Sequence, residues 1–124
     1  MQTMKRNQMP FKYMLLDRQE PILDEWGNET GETKLFYKYP VDMSANISAA
    51  GGTAQVEQFG NLTGYDRVIV TADMSCPIDE NTVLFIDRQP EFDDNGTPLY
   101  DYIVLRVARS LNSISYAVSK VDVS

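Results

Sequence analysis

The sequence predicts an all-β fold, a small antiparallel barrel of about six to seven strands with a long inserted loop. Three observations carry this reading. Short β-prone runs recur along the chain with turn-forming residues between them. Val41, Met43, Ala45 and Ile47 alternate with Asp42, Ser44, Asn46 and Ser48, the period-2 signature of a half-buried strand. Residues 102–108 and 114–121 are both β-rich and are separated by Ser110-Leu111-Asn112-Ser113, which reads as a terminal hairpin. A barrel is preferred to an open sheet because closure removes exposed strand edges.

A chain of 124 residues fits one domain. Residues 1–10 are polar and methionine-rich with no period, and read as a flexible N-terminal arm. Residues 11–124 then form a single barrel domain. The first strand is expected over 11–16. Residues 24–32 are dense in turn formers and read as a hairpin tip or extended loop. A β-prone run over 34–39 is interrupted by Pro40, which marks an edge strand or a bend. The alternating strand follows over 41–48.

Residues 49–64 break the pattern, with glycines near both ends. Val56 and Phe59 stand three apart, as in one turn of helix or a short strand, so this is a long loop with a small ordered insert. A strand is expected over 67–72 and a turn-rich link over 73–81. Val83-Leu84-Phe85-Ile86 is apolar on both faces, as in a central strand. Residues 91–100 form an acidic loop. A helix over 103–111 is the rival to the terminal hairpin, and the β-branched residues of the flanking runs oppose it. Asp17-Arg18-Gln19 and Asp87-Arg88-Gln89 match, each leading into an acidic turn, which is shared local chemistry and too short for a repeat.

Composition narrows function. Hydrophobic residues make up 43% of the chain and the net charge is -7, with 18 acidic and 11 basic residues. Tight wrapping of nucleic acid requires a cationic surplus, which this chain lacks. An acidic surface suits both solubility and a conduit through which DNA slides without sticking. The single cysteine, Cys76, excludes an intrachain disulfide and fits folding in a reducing cytosol. The apolar run Tyr13-Met14-Leu15-Leu16 is too short for a signal-peptide core or a membrane span. Asn28, Asn46, Asn61 and Asn95 sit in Asn-X-Ser/Thr triplets, which without a signal peptide read as turn and strand-surface residues.

Catalytic machinery is not apparent, and no enzyme, cofactor or metal is expected. The chain has no histidine, which removes the commonest general base and metal ligand. Cys76 reads as a small buried hydrophobe. Glu91, Asp93 and Asn95 with Gly96 resemble the start of a calcium loop, but Tyr102 stands where the bidentate Glu is required. Acid pairs such as Asp24/Glu25 and Asp93/Asp94 lie in turns, with nothing to set a glycosidase separation. The serines lack a nucleophile elbow, and Gly51-Gly52 is no phosphate loop. Trp26 lies among acidic residues in a turn, either exposed as an interface anchor or folded back on its own barrel.

Several blocks, taken in order, carry a family resemblance. They are Glu20-Pro21-Ile22-Leu23-Asp24-Glu25, Gly27-Asn28-Glu29-Thr30-Gly31, Ala45-Asn46-Ile47-Ser48-Ala49 and Gln58-Phe59-Gly60. They continue through Tyr65-Asp66-Arg67-Val68-Ile69-Val70, Cys76-Pro77-Ile78-Asp79-Glu80, Asp101-Tyr102-Ile103-Val104 and Val107-Ala108-Arg109-Ser110-Leu111-Asn112-Ser113. In order and spacing the chain resembles head-closure (stopper, or head-tail connector) proteins of long-tailed bacteriophages and prophages. None of the blocks is a chemical signature.

The resemblance implies a structural protein of the virion neck, made in the host cytoplasm and forming a ring, typically of twelve copies. The ring would lie beneath the portal and adaptor rings, receive the tail proteins, and surround packaged DNA without reading its sequence. It involves no membrane. The resemblance also implies a channel loop, here Gly51, Gly52, Gln55, Glu57, Gln58, Gly60 and Asn61, whose glycines suit a segment that changes shape. Met9, Phe11 and Trp26 are the candidate subunit contacts, since heterologous contacts in a ring join different surfaces of neighbouring copies. The alternatives are a tail-terminator or tail-completion ring and, from another class, a ligand-binding β-sandwich module. If the loop retains DNA, deleting residues 51–60 should leave the ring intact but empty filled heads; unchanged DNA retention would reject that role.

Overall fold

The computed structural model describes residues 8–49, 59 and 64–122. Eight strands lie among them: β1 (Gln8–Met14), β2 (Leu16–Leu23), β3 (Glu29–Tyr37), β4 (Val41–Ala49), β5 (Arg67–Thr71), β6 (Val83–Phe85), β7 (Tyr102–Arg109) and β8 (Ile114–Lys120). Six of them close an antiparallel barrel in the order β1-β4-β5-β8-β7-β6, and β2 and β3 form a separate two-stranded hairpin. The expected all-β barrel is therefore present. The strand count is higher than expected because the segment after residue 16 is itself a strand.

Period-2 alternation places the core. Phe11 and Tyr13 of β1, Ala45 of β4, Ile69 of β5, Leu84 of β6, Tyr102 and Val104 of β7, and Ile114, Tyr116 and Val118 of β8 meet in one buried cluster, joined by Cys76 and Ile78. Met43 and Ile47 of the alternating run pack against the same cluster, while Val41, at its start, is exposed. Burying a side chain of this size is worth about 1.5–3 kcal/mol, so these positions dominate stability.

Two smaller clusters cover parts of the barrel beyond the main core. Phe59 packs with Val68, Val70 and Ala117, supported by Tyr65 at 5.6 Å between ring centroids. Arg106 donates to the Phe59 carbonyl at 3.2 Å, which holds that residue in place. Met14, Val83 and Phe85 pack against Tyr37 and Tyr100. The apolar run at 83–86 is thus explained: Leu84 joins the main core and its neighbours join the second face. Val56, the expected partner of Phe59, lies outside the described residues.

Two sequence expectations change. Gln8, Met9 and Pro10, assigned to the loose arm, are in β1 and pair with Asn46, Ala45 and Ser44. Phe11, assigned to a subunit contact, is 4% exposed and belongs to the core. Its aromatic ring is the first inward residue of a strand that pairs on both sides, with β4 and with β6.

Carboxylates tie the loops to the barrel. Asp101 is 3% exposed and its carboxylate accepts from the backbone N–H groups of Ile86 at 3.0 Å and Asp87 at 2.9 Å. Asp66 accepts from the Lys120 N–H at 2.7 Å, next to the start of β5. Asp79 closes the turn before β6 by accepting from the Asn81 N–H and the Thr82 hydroxyl. Each extends or terminates a ladder where strand pairing stops.

Asp101→Asn replaces one acceptor with a donor facing a backbone N–H. It should cost about 1.5–3 kcal/mol, read as a lowered urea midpoint. An unchanged midpoint would show that β6 is held by packing alone. The hydroxyl of Tyr116 is buried and finds no hydrogen-bond partner among the described residues. Burial, and then the neighbouring Cys76, push its pKa well above the ordinary phenol value. Burial does the same for Tyr13, Tyr37 and Tyr102. Folding keeps these phenols neutral, so the stability they lend is complete below about pH 10 and declines as pH rises beyond it. Tyr116→Phe removes the unpartnered hydroxyl. It should stabilise the fold by about 1 kcal/mol at pH 7 and reduce the alkaline loss; destabilisation at pH 7 would mean that the hydroxyl is satisfied after all.

Candidate assembly surface

The β2–β3 hairpin is the feature that the core does not explain. It projects as an arm: apart from Leu16 at its root, every residue of β2 is exposed, and in β3 only Phe36 and Tyr37 are half-buried. An isolated two-stranded hairpin is marginal in water. This one is braced locally. The Arg18 guanidinium lies 4.1 Å from the Phe36 ring centroid on the facing strand, with Lys34 5.2 Å from the same ring. Arg18 also pairs with Asp17 and Glu20. At the root, the Lys38 N–H donates to the Leu15 carbonyl at 2.8 Å.

The tip is built by a single carboxylate. Asp24 Oδ1 accepts from the N–H groups of Trp26 and Asn28, both at 2.9 Å. The Gly27 N–H donates to the Asp24 carbonyl at 3.0 Å, and Gly27 has φ +82°, a left-handed conformation that glycine adopts at no steric cost. The acidic loop repeats this construction. Asp93 Oδ1 accepts from Asn95 and Thr97, the Gly96 N–H donates to the Asp93 carbonyl, and Gly96 has φ +79°. The shared pattern Asp-X-X-Gly-X was the available signal for both turns. Phe92 and Pro98 bridge below the second one.

The fixed tip holds Trp26 outward at 77% exposure, with Ile22, Leu23 and Leu35 also exposed along the arm. An indole is amphipathic and costly to leave in water, which is why such residues anchor interfaces. Beside it stand Glu25, Glu29 and Glu32, which form no ion pair among the described residues. Trp26 is therefore exposed and not folded back on its own barrel. Met9 is 41% exposed on β1, on the strand face that Phe11 and Tyr13 turn inward, so it sits at the barrel rim. Met9, Phe11 and Trp26 thus occupy three different settings: rim, core and arm tip.

No family model, curated protein or solved structure matches this chain.

The expected channel loop, Gly51, Gly52, Gln55, Glu57, Gln58, Gly60 and Asn61, lies outside the described residues. Among the described residues, no group of three or more His, Cys, Asp or Glu side chains is placed to hold a metal ion.

A cleft of about 620 Å³ opens at the root of the arm. One wall comes from the end of β3 and the residues after it, including Leu35, Lys34, Lys38 and Tyr39; the other comes from Phe92 and the turn at 95–98. Tyr39 is 90% exposed and Phe92 46%. Neither lysine is ion-paired among the described residues. The cleft is the surface least legible in the sequence, because it is made by bringing together distant segments.

Proposed function

We propose that this chain is a structural virion protein that forms a ring at the phage head-tail junction, closes the DNA-filled head and accepts the tail. The observation that carries the reading is the projecting β2–β3 arm. It is a braced, solvent-exposed hairpin whose rigid tip offers a tryptophan to a partner. A compact ligand-binding module has no use for such an arm, whereas a ring subunit uses one to reach its neighbour. The order of sequence blocks that resembles head-closure proteins supplies the phage context. The net charge of -7 suits a ring around DNA that must pass without adhering.

In this reading the subunits form a homo-oligomer, a dodecamer by the family resemblance, between the portal and adaptor rings above and the tail proteins below. Heterologous contacts close such a ring. The barrel supplies a stiff body, since closure leaves it no unpaired edge through which to aggregate.

Trp26→Asp should abolish assembly while shifting the unfolding midpoint by less than about 0.5 kcal/mol, as expected of a surface site. Native mass spectrometry of the purified chain and imaging of the tailed particle with this chain tagged would test the reading together. Ring density at the neck that is lost in the variant is the expected result. A tagged ring at the end of the tail tube would instead favour a tail terminator, and absence from the particle with a stable monomer would overturn the virion assignment.

A further inference from the structure

We infer that the acidic, tryptophan-bearing tip of the β2–β3 arm docks into the lysine-lined cleft at the root of the arm on a neighbouring copy of this chain. The inference rests on the ring reading above and names the contact that would build it.

The two surfaces complement one another. The tip presents Trp26 with the unpaired carboxylates of Glu25 and Glu29. The cleft presents Leu35, Tyr39 and Phe92 as apolar wall and Lys34 and Lys38 as cations that form no ion pair among the described residues, Lys34 lying near the Phe36 ring. Of the acids around the cleft, Asp17 is paired with Arg18, Glu91 is paired with Arg88, and Asp93 is turned into its own loop. That leaves Asp94 against the two lysines. A cleft of about 620 Å³ is within the range that accepts a large side chain with its flanking groups.

A chain cannot fill its own cleft with its own tip. Glu29 at the tip and Lys34, the nearest cleft residue, are five positions apart on β3, roughly 17 Å at about 3.4 Å per residue, and the other cleft residues of the arm lie farther still. The paired register from Leu16↔Tyr37 out to Leu23↔Glu29, with its bulges, keeps the arm extended between them. The complementary surfaces are therefore held apart along one extended hairpin. Each copy then has one tip and one cleft to offer, and a closed ring or a reciprocal twofold pair satisfies all of them, which the mass of the assembly distinguishes.

Charge reversal in alternating pairs tests this. One variant carries Glu25→Lys and Glu29→Lys at the tip; the other carries Lys34→Glu and Lys38→Glu in the cleft. Self-association is followed by native mass spectrometry and light scattering at low ionic strength, where charge pairs are least screened. Each variant alone should associate at least about tenfold more weakly than the parent. An equimolar mixture should recover assembly, because each reversed tip then meets a reversed cleft and each native tip a native cleft. Thermal midpoints near that of the parent confirm that the variants are folded, and Lys38→Glu alone serves as the milder cleft variant if the double change loosens the arm.

Recovery only in the mixture supports the contact. A mixture no better than its components overturns it, while assembly of the parent would leave the ring reading standing. Loss on cleft reversal with no effect of tip reversal assigns the cleft to a different occupant and also overturns it. A parent chain that is monomeric at every concentration and absent from the particle overturns both readings.

Discussion

Everything in this fold depends on closing the barrel through a strand of three residues. β6 (Val83–Phe85) is the only described link between β1 and β7, pairing Lys12, Tyr13 and Met14 on one side and Tyr102 and Ile103 on the other. So short a ladder offers few hydrogen bonds, and it is extended by side chain instead of backbone. Asp101 takes the two N–H groups immediately after the strand, and its own N–H donates to Leu84. A charged acceptor makes a stronger hydrogen bond than a carbonyl, and its near-complete burial means that neither N–H has water as an alternative. Arg67 and Tyr102 meet Asp87 just beyond, so the closure is clamped from β5 and β7 as well.

Closure has a consequence for assembly. A closed barrel has no edge strand to add to, which removes the commonest unintended route of association. On the arm, β2 and β3 each pair on one side only. That arm is guarded by sequence. Pro21 removes a donor from β2, Arg18, Glu20, Lys34 and Glu32 place charge along it, and a bulge with Gly31 at φ +87° bends it near the tip. Edge-to-edge growth is disfavoured along the arm's length, and specificity is concentrated at its end, where Trp26 stands.

The barrel was legible because its strands obey the simplest rule. Val41 to Ser48 alternates since one face of β4 is buried, and the terminal hairpin is β-branched because both its strands face the core. The arm was not legible for the converse reason. Arg18-Gln19-Glu20 is polar without alternation, because a hairpin that is wet on both faces has no inside to record. Phe11 was misplaced because a lone aromatic after a polar stretch looks the same whether its strand begins three residues earlier or not. The pairing of Met9 with Ala45 that starts β1 earlier is a long-range fact. Several conspicuous polar residues of the family-like blocks have local structural uses: Asp66, Asp79 and Asp101 are ladder ends, and Asp24 is a turn. They bear on the shape of the protein, and the surface that would meet a partner is carried by their neighbours.

One turn design serves both of the sites in the proposed contact. Asp24 to Asn28 and Asp93 to Thr97 share the same hydrogen bonds and the same left-handed glycine, yet the first holds a tryptophan out and the second shapes the wall of a cleft. A turn tied by its own carboxylate loses little further entropy when it is bound, so a contact between two such turns is preorganised on both sides. The difference between them lies in the variable positions, Glu25-Trp26 against Asp94-Asn95, and in what surrounds them: open solvent at one, Phe92, Tyr39 and two lysines at the other. Because the arm holds them apart, any contact between tip and cleft is directional, with a donor end and an acceptor end on every copy. A reciprocal twofold pair, a ring and a filament can all be built from such a contact, and which of them forms would be decided by the angle at which the arm leaves the barrel. The Lys38 to Leu15 hydrogen bond and the packing of Tyr37 on Met14 and Phe85 set that angle, so in the proposed assembly the root of the arm would govern the geometry.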